Sequence, residues 1–119
     1  MYNDFVKWLD RVLEENTKIE GEGIVFNLYE DSDLHWSIQL VSTSYVDFDD
    51  EDWKCDEVFS TGEDLYTWKQ DTNREEILEI SINMVKKYLE EGKYSGVIKE
   101  YRAVGIGFVD GDLEIVYVN

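Results

Sequence analysis

The chain has 119 residues, 28 acidic against 11 basic side chains and a formal net charge of −17. Hydrophobic residues make up 43% of it, including 17 aromatic residues, which is enough apolar surface to build a core despite the charge. Binding to nucleic acid depends on Lys and Arg at the phosphates, so this charge excludes it, and the same charge opposes contact with anionic membranes. These values predict one folded acidic domain over residues 1–119.

Cysteine usage favours the cytoplasm as the compartment. Cys55 is the only cysteine, so an intramolecular disulfide cannot form, whereas small secreted domains usually contain several. The N-terminal residues alternate apolar and charged side chains and have neither the apolar centre nor the cleavage site of a signal peptide. No segment approaches the roughly 18 continuous apolar residues of a membrane span.

A helix followed by a β-hairpin is predicted for the first 43 residues. Apolar side chains recur with the helical period over residues 4–15, and Asn3 is a suitable N-cap. Residues 24–30 and 35–43 are rich in β-forming side chains. Residues 30–33 between them have the polar composition of a hairpin loop.

The middle of the chain, residues 44–64, is predicted to be an irregular acidic segment. Residues 49–52 are four consecutive acids, which the interior of a strand disfavours. Beyond them, residues 58–59 and 65–68 are predicted to form a short strand pair around Thr61-Gly62.

The last third predicts a long helix and a second hairpin. Residues 74–91 place apolar side chains on one half of a helix, and Gly92 is a suitable stop. A short helix over residues 94–101 follows, and then strands 103–109 and 113–118 flank an Asp-Gly turn. The predicted fold class is α+β, an antiparallel sheet built from hairpins with two amphipathic helices packed on one face.

The glycines of the C-terminal hairpin do not indicate a phosphate loop. Such a loop leads from a strand into a helix, whereas Gly105 and Gly107 lie inside a predicted strand that is followed by another strand. Because they are two residues apart, they are predicted to share a strand face and to leave room there for a helix or another backbone.

Catalytic signatures are absent. His35 and Cys55 are the only histidine and the only thiol, nothing in the sequence places them together, and no nucleophile elbow is present for a serine. The many carboxylates single out no acid–base pair, and a chain of this length with short predicted loops has little material for a hydrolytic cleft. We therefore predict no catalytic residues and a protein that is not an enzyme.

The acidic groups of the chain do not match a metal-binding motif. Asp47, Asp49 and Glu51 resemble the start of a calcium loop, but Asp52 stands where that loop needs Gly, and Val58 where it needs Glu. Two shorter groups of the same spacing belong to turns, where Asp is favoured by the backbone geometry: Asp31-Asp33-His35 and Asp110-Asp112-Glu114. We predict no metal site and no cofactor.

The distribution of charge is the most informative feature. Residues 1–64 contain 18 acids and 4 bases, whereas residues 65–119 contain 10 acids and 7 bases. Within residues 44–64 the acids have only Lys54 as a counter-charge, and aromatic residues alternate with them. Aromatic anchors surrounded by charge are typical of a protein interface that binds a basic partner. The predicted partner-binding residues are Asp47, Asp49, Asp50, Glu51, Asp52, Trp53, Asp56 and Glu57.

In type, the chain resembles the immunity proteins of contact-dependent inhibition and other polymorphic toxin systems of bacteria. The resemblance rests on a short proline-free α+β chain, the acidic-aromatic segment 47–57 and the glycine-containing hairpin 105–112. It implies a non-catalytic complex with a basic toxin domain, commonly a nuclease, whose substrate groove the acidic surface would occlude. Two alternatives stay open: a nucleic-acid mimic that inhibits DNA-binding proteins, and a small enzyme or metal-binding domain.

Overall fold

The computed structural model describes all 119 residues and has an α+β fold. Its helices are α1 (Tyr2–Glu15), α2 (Arg74–Glu91) and the short α3 (Ser95–Ile98), and a 3-10 helix spans Glu51–Cys55. Its six strands are β1 (Gly23–Glu30), β2 (His35–Thr43), β3 (Glu57–Ser60), β4 (Tyr66–Lys69), β5 (Ala103–Phe108) and β6 (Glu114–Val118). No helix combines the length and the apolar character needed to cross a membrane.

The long helices follow the sequence pattern closely. Helix α2 has the predicted bounds, and the side chain of Asn73 caps it by accepting a hydrogen bond from the backbone N–H of Glu76. Helix α1 begins at Tyr2, two residues before the predicted start, so Asn3 lies inside it and is not its N-cap. Tyr2 packs against the core, which explains why the helix extends to include it.

The strands form one mostly antiparallel sheet in the order β3-β2-β1-β5-β6, and β4 also pairs with β2. The expectation of a wholly antiparallel sheet is wrong for one pair, because β1 and β5 run parallel from Gly23↔Ala103 to Leu28↔Phe108. Strand β5 enters the sheet after α2 and α3, so a helical crossover sets its direction instead of a hairpin.

Strands β3 and β4 do not pair with each other, which corrects the predicted short hairpin. They lie one after the other along β2: β4 pairs with its first half, from His35 to Ile38, and β3 pairs with its last residues, from Val41 to Thr43. The nine residues of β2 are long enough to pair with both four-residue strands. Each short strand therefore pairs with a strand inside the sheet instead of with another short edge strand.

Two apolar clusters lie on opposite faces of the sheet. The larger combines side chains of α1 and α2 with alternate strand residues such as Phe26, Ile38 and Ile106. The smaller is formed by the opposite face of the strands and the segment that follows β2: Val25, Val41, Val46, Trp53 and Ala103.

The predicted close approach at the C-terminal hairpin is confirmed. A Cβ atom at Gly107 would lie 2.3 Å from the carbonyl oxygen of Asp112, and one at Gly105 would lie 2.8 Å from the side chain of Leu113. The segment before β6 therefore folds back over β5 at the two positions that lack a side chain.

Candidate functional site

The first part of the predicted acidic segment 44–64 forms a loop that follows β2 and ends where β3 begins at Glu57; we call residues 44–57 the acidic loop. Its turns are shaped by its own aspartates: the Asp47 carboxylate accepts from the Asp49 backbone N–H at 2.9 Å, and that of Asp50 accepts from Asp52 at 2.9 Å. The second bond caps the 3-10 helix. Some of these acids therefore have a local conformational role in addition to their charge.

Trp53 attaches the acidic loop to the sheet. Its side chain is only 1% exposed and packs with Val25, Val46 and Ala103. Gly23 makes this possible, because a Cβ atom there would lie 2.7 Å from the indole ring. Trp53 is one of the predicted partner-binding residues; its ring is buried between the loop and the sheet, and its contact with a partner stays a prediction.

Polar contacts attach the loop to the C-terminal hairpin. The Glu51 carboxylate accepts from the Leu113 N–H at 2.7 Å, and the Lys54 ammonium donates to the Gly111 carbonyl at 2.7 Å. Arg102 donates to the Val46 carbonyl at 3.4 Å. The loop is thus fixed at several points along its length.

The remaining predicted residues are exposed, and their charge is uncompensated. None of the eight ion pairs of the molecule includes a carboxylate of the acidic loop. The pKa of Tyr45 is raised, first by desolvation and then by the negative field of the loop carboxylates. The seven exposed acids are Asp47, Asp49, Asp50, Glu51, Asp52, Asp56 and Glu57.

Two aromatic side chains lie exposed among these acids. Phe48 is 51% exposed and Tyr45 is 40% exposed. The guanidinium of Arg102 lies 5.6 Å from the Phe48 ring centre. We call the seven carboxylates with Tyr45 and Phe48 the acidic surface.

Tyr45 and Phe48 are not among the partner-binding residues predicted from the sequence. The sequence marks Tyr45, Phe48 and Trp53 equally as aromatic residues within an acidic run. The available signal was Gly23, since a glycine at the start of a strand indicates a close approach by another group.

The lone histidine and the lone cysteine have different surroundings. The His35 ring contacts the Ser32 carbonyl at 3.3 Å, and Cys55 lines a different region, a cavity of about 190 Å³ shared with Asn27 and Glu57. No group of three or more His, Cys, Asp or Glu side chains is arranged to hold a metal ion.

Comparison of the chain with protein-family models, with curated proteins and with solved structures gives no match.

Proposed function

We propose that this protein is a non-catalytic binding protein whose acidic surface neutralises a basic partner, as an immunity protein neutralises a toxin domain. The observation that carries the proposal is a fixed loop with seven exposed carboxylates, none of them in an ion pair. Such a concentration of like charge opposes folding, so a function that requires it is the simplest reason for its presence.

The physical action of such a surface is competition for a cationic groove. A nuclease must present Lys and Arg to bind a polyanion, and a dense carboxylate surface is attracted by the same field. Long-range attraction accelerates association, especially at low ionic strength. Phe48 and Tyr45 supply apolar contact area, which slows dissociation once the surfaces meet.

The attachment of the loop also supports this proposal. Trp53 and the contacts to Gly111 and Leu113 hold the carboxylates in place before a partner arrives. A surface that is already ordered loses less conformational entropy on binding, so more of its interaction energy becomes affinity.

The test begins with capture of proteins from the source cell's lysate on the immobilised chain, at low and at high salt. We expect one basic protein to be retained, with weaker retention at high salt, and its purified activity to be inhibited by the added chain. The variant Asp49→Asn/Asp50→Asn/Asp52→Asn should associate about tenfold or more slowly and show a smaller salt dependence. Asn at position 50 keeps the acceptor for the Asp52 N–H, and the Asp47 acceptor of the other turn is unchanged, so the loop turns are preserved.

A matched control removes the same charge elsewhere: Asp71→Asn/Glu79→Gln/Glu90→Gln changes three exposed acids that form no ion pair. Its association rate should stay within about twofold of the parent's, because most exposed charges act only over a Debye length. Equal inhibition by the parent and the loop variant would contradict the proposal. So would capture that is indifferent to salt.

A further inference from the structure

Strand β6 is an open edge of the sheet. It pairs only with β5, so its remaining backbone N–H and C=O groups are available to another strand. The opposite edge is divided into two four-residue strands that carry Glu57 and Lys69. Short, charged edge strands discourage pairing with another chain.

The composition of β6 lacks that protection. Its five residues include a single charge, Glu114, and the chain has no proline to interrupt an edge. Ile115 is 39% exposed and Val118 is 55% exposed. A bulge between the Ile115–Gly105 and Tyr117–Val104 pairs is the only irregularity in the β5–β6 pairing, and it leaves paired residues on both sides.

The acidic loop contacts residues next to both ends of this strand. Glu51 binds the N–H of Leu113, directly before β6 begins. Phe48 contacts the Arg102 guanidinium, and the Arg102 carbonyl accepts from Asn119, directly after β6 ends. Glu51 and Phe48 therefore reach groups that lie next to the two ends of β6.

The exposed apolar side chains lie on the same face as the loop. Val118 pairs with Ala103, which packs with Trp53 beneath the loop, and Ile115 pairs with Gly105, which faces Leu113. A strand added to β6 would have alternate side chains on this face, beside carboxylates that no cation of the chain neutralises.

We propose that the partner binds by adding a strand to β6, with Lys or Arg at alternate positions facing the acidic loop. The inference rests on the proposed function and specifies its binding mode. Backbone hydrogen bonds to β6 provide the docking geometry, and the carboxylates select a cationic strand.

The test uses the full chain and a synthetic peptide of alternating Lys and Val, capped at both ends. We expect the peptide to bind at low ionic strength and to slow hydrogen exchange in residues 114–118. The same peptide N-methylated at every residue keeps its charge but cannot donate backbone hydrogen bonds, so it should bind about tenfold more weakly or worse. A Glu-Val peptide, in which the charge is reversed, should not bind.

Equal affinity of the two cationic peptides would overturn strand addition while leaving the acidic surface as the binding site. Absence of binding by the unmethylated peptide, or binding without protection of residues 114–118, would overturn it too. Sedimentation of the chain alone tests whether β6 pairs with a second copy of the chain instead. A dimer in which the β6 amides are protected would overturn the proposal. Failure of the proposed function would appear separately, as unchanged inhibition by the Asp49→Asn/Asp50→Asn/Asp52→Asn variant.

Discussion

At the scale of single residues, the position of Trp53 depends on the missing side chain at Gly23. A Cβ atom there would lie 2.6 Å from the Thr43 hydroxyl oxygen, 2.7 Å from the Trp53 ring and 2.9 Å from Val46. Three neighbours on two different segments would have to move together, which a packed core resists. Trp53, which anchors the acidic loop, and Gly23, which leaves room for its ring, are thus thirty positions apart in the sequence.

Gly23→Ala is expected to lower the free energy of unfolding by about 1–3 kcal/mol, because the added methyl overpacks this contact. Gly96→Ala is the matched control, since a Cβ atom at Gly96 meets nothing within 4 Å and the residue lies in helix α3. That control should be neutral or stabilise by up to about 1 kcal/mol. Urea unfolding measures both, and equal effects of the two substitutions would refute the role given to Gly23.

Asp64 gives a prediction for pH. Its carboxylate accepts from Arg11 at 2.7 and 2.8 Å and from the Trp8 indole N–H at 3.2 Å, and the Arg11 hydrogen bonds hold its pKa below the ordinary 3.8. A lowered pKa means that the contact stabilises the fold above about pH 4 and that this contribution is lost as pH falls through the folded-state value.

Asp64→Asn should therefore cost about 0.5–1 kcal/mol at pH 7, a figure reduced for the partial exposure of the pair, and the difference from the parent should shrink on acidification toward pH 2. Asp33→Asn is the control, since Asp33 has one 3.8 Å ion pair with Lys69 and is largely exposed. It should cost nothing measurable. Urea unfolding over a pH series is the measurement, and a pH-independent cost at Asp64 would rule out this ionic account.

At the scale of elements, the acidic loop behaves as a small covering layer on the face of the sheet opposite the helices. Most of its apolar attachment comes from Trp53 and Val46, since its other side chains are largely polar and exposed. Its stability therefore depends on few contacts, and it should be separable from the stability of the rest of the domain.

Trp53→Ala should detach the loop. Removing a fully buried Trp costs about 3–5 kcal/mol when the structure cannot collapse around the cavity, and less when the loop simply opens. We expect earlier cleavage within residues 44–57 in limited proteolysis, while hydrogen exchange in α2 stays slow. Phe48→Ala is the control, because its exposed ring contributes little to folding. Equal protease resistance of the parent and Trp53→Ala would show that the loop is held by its polar contacts instead.

The elements also show what the sequence could and could not predict. Helix α2, strand β2 and the C-terminal hairpin depend on local periodicity and turn residues, and the sequence was sufficient to locate them. The parallel β1–β5 pair and the separate docking of β3 and β4 on β2 depend on contacts between distant segments. Local patterns contain no information on such pairings, which tertiary packing decides.

The candidate site also has features that local sequence predicts and features that contacts between distant segments decide. The position of the acidic loop could be predicted because charged runs disfavour strand interiors, and its carboxylates are exposed as their hydration requires. Gly23 indicates that some group approaches the start of β1 closely, but the sequence does not say which aromatic residue it is, because Trp53 and Phe48 have similar neighbours in sequence and differ only in the surface they reach after folding. That surface is assembled from β1, β2 and β5.

At the scale of the whole molecule, the negative charge is distributed unevenly along the chain. Residues 1–64 have a net charge of −14 and residues 65–119 a net charge of −3. The ion pairs that exist are at the surface and lie outside the acidic loop, so they do not relieve its repulsion. Self-repulsion of this kind weakens the compact state and is screened by salt.

The free protein is therefore expected to become more stable as salt is added, with Tm rising between about 0.01 and 0.5 M NaCl, as the Debye length falls from about 30 Å to a few ångströms. Asp49→Asn/Asp50→Asn/Asp52→Asn should raise Tm at low salt by about 3–5 °C, corresponding to about 1 kcal/mol, and the gain should fade at high salt. The Asp71→Asn/Glu79→Gln/Glu90→Gln control removes equal charge from less crowded positions and should gain less. Calorimetry across a salt series measures all three proteins.

If the loop variant is more stable yet binds its partner more weakly, the carboxylates destabilise the fold and are retained because binding requires them. A loop variant no more stable than the control would mean that the acidic loop is not under electrostatic strain, so that its charge would need no function to maintain it.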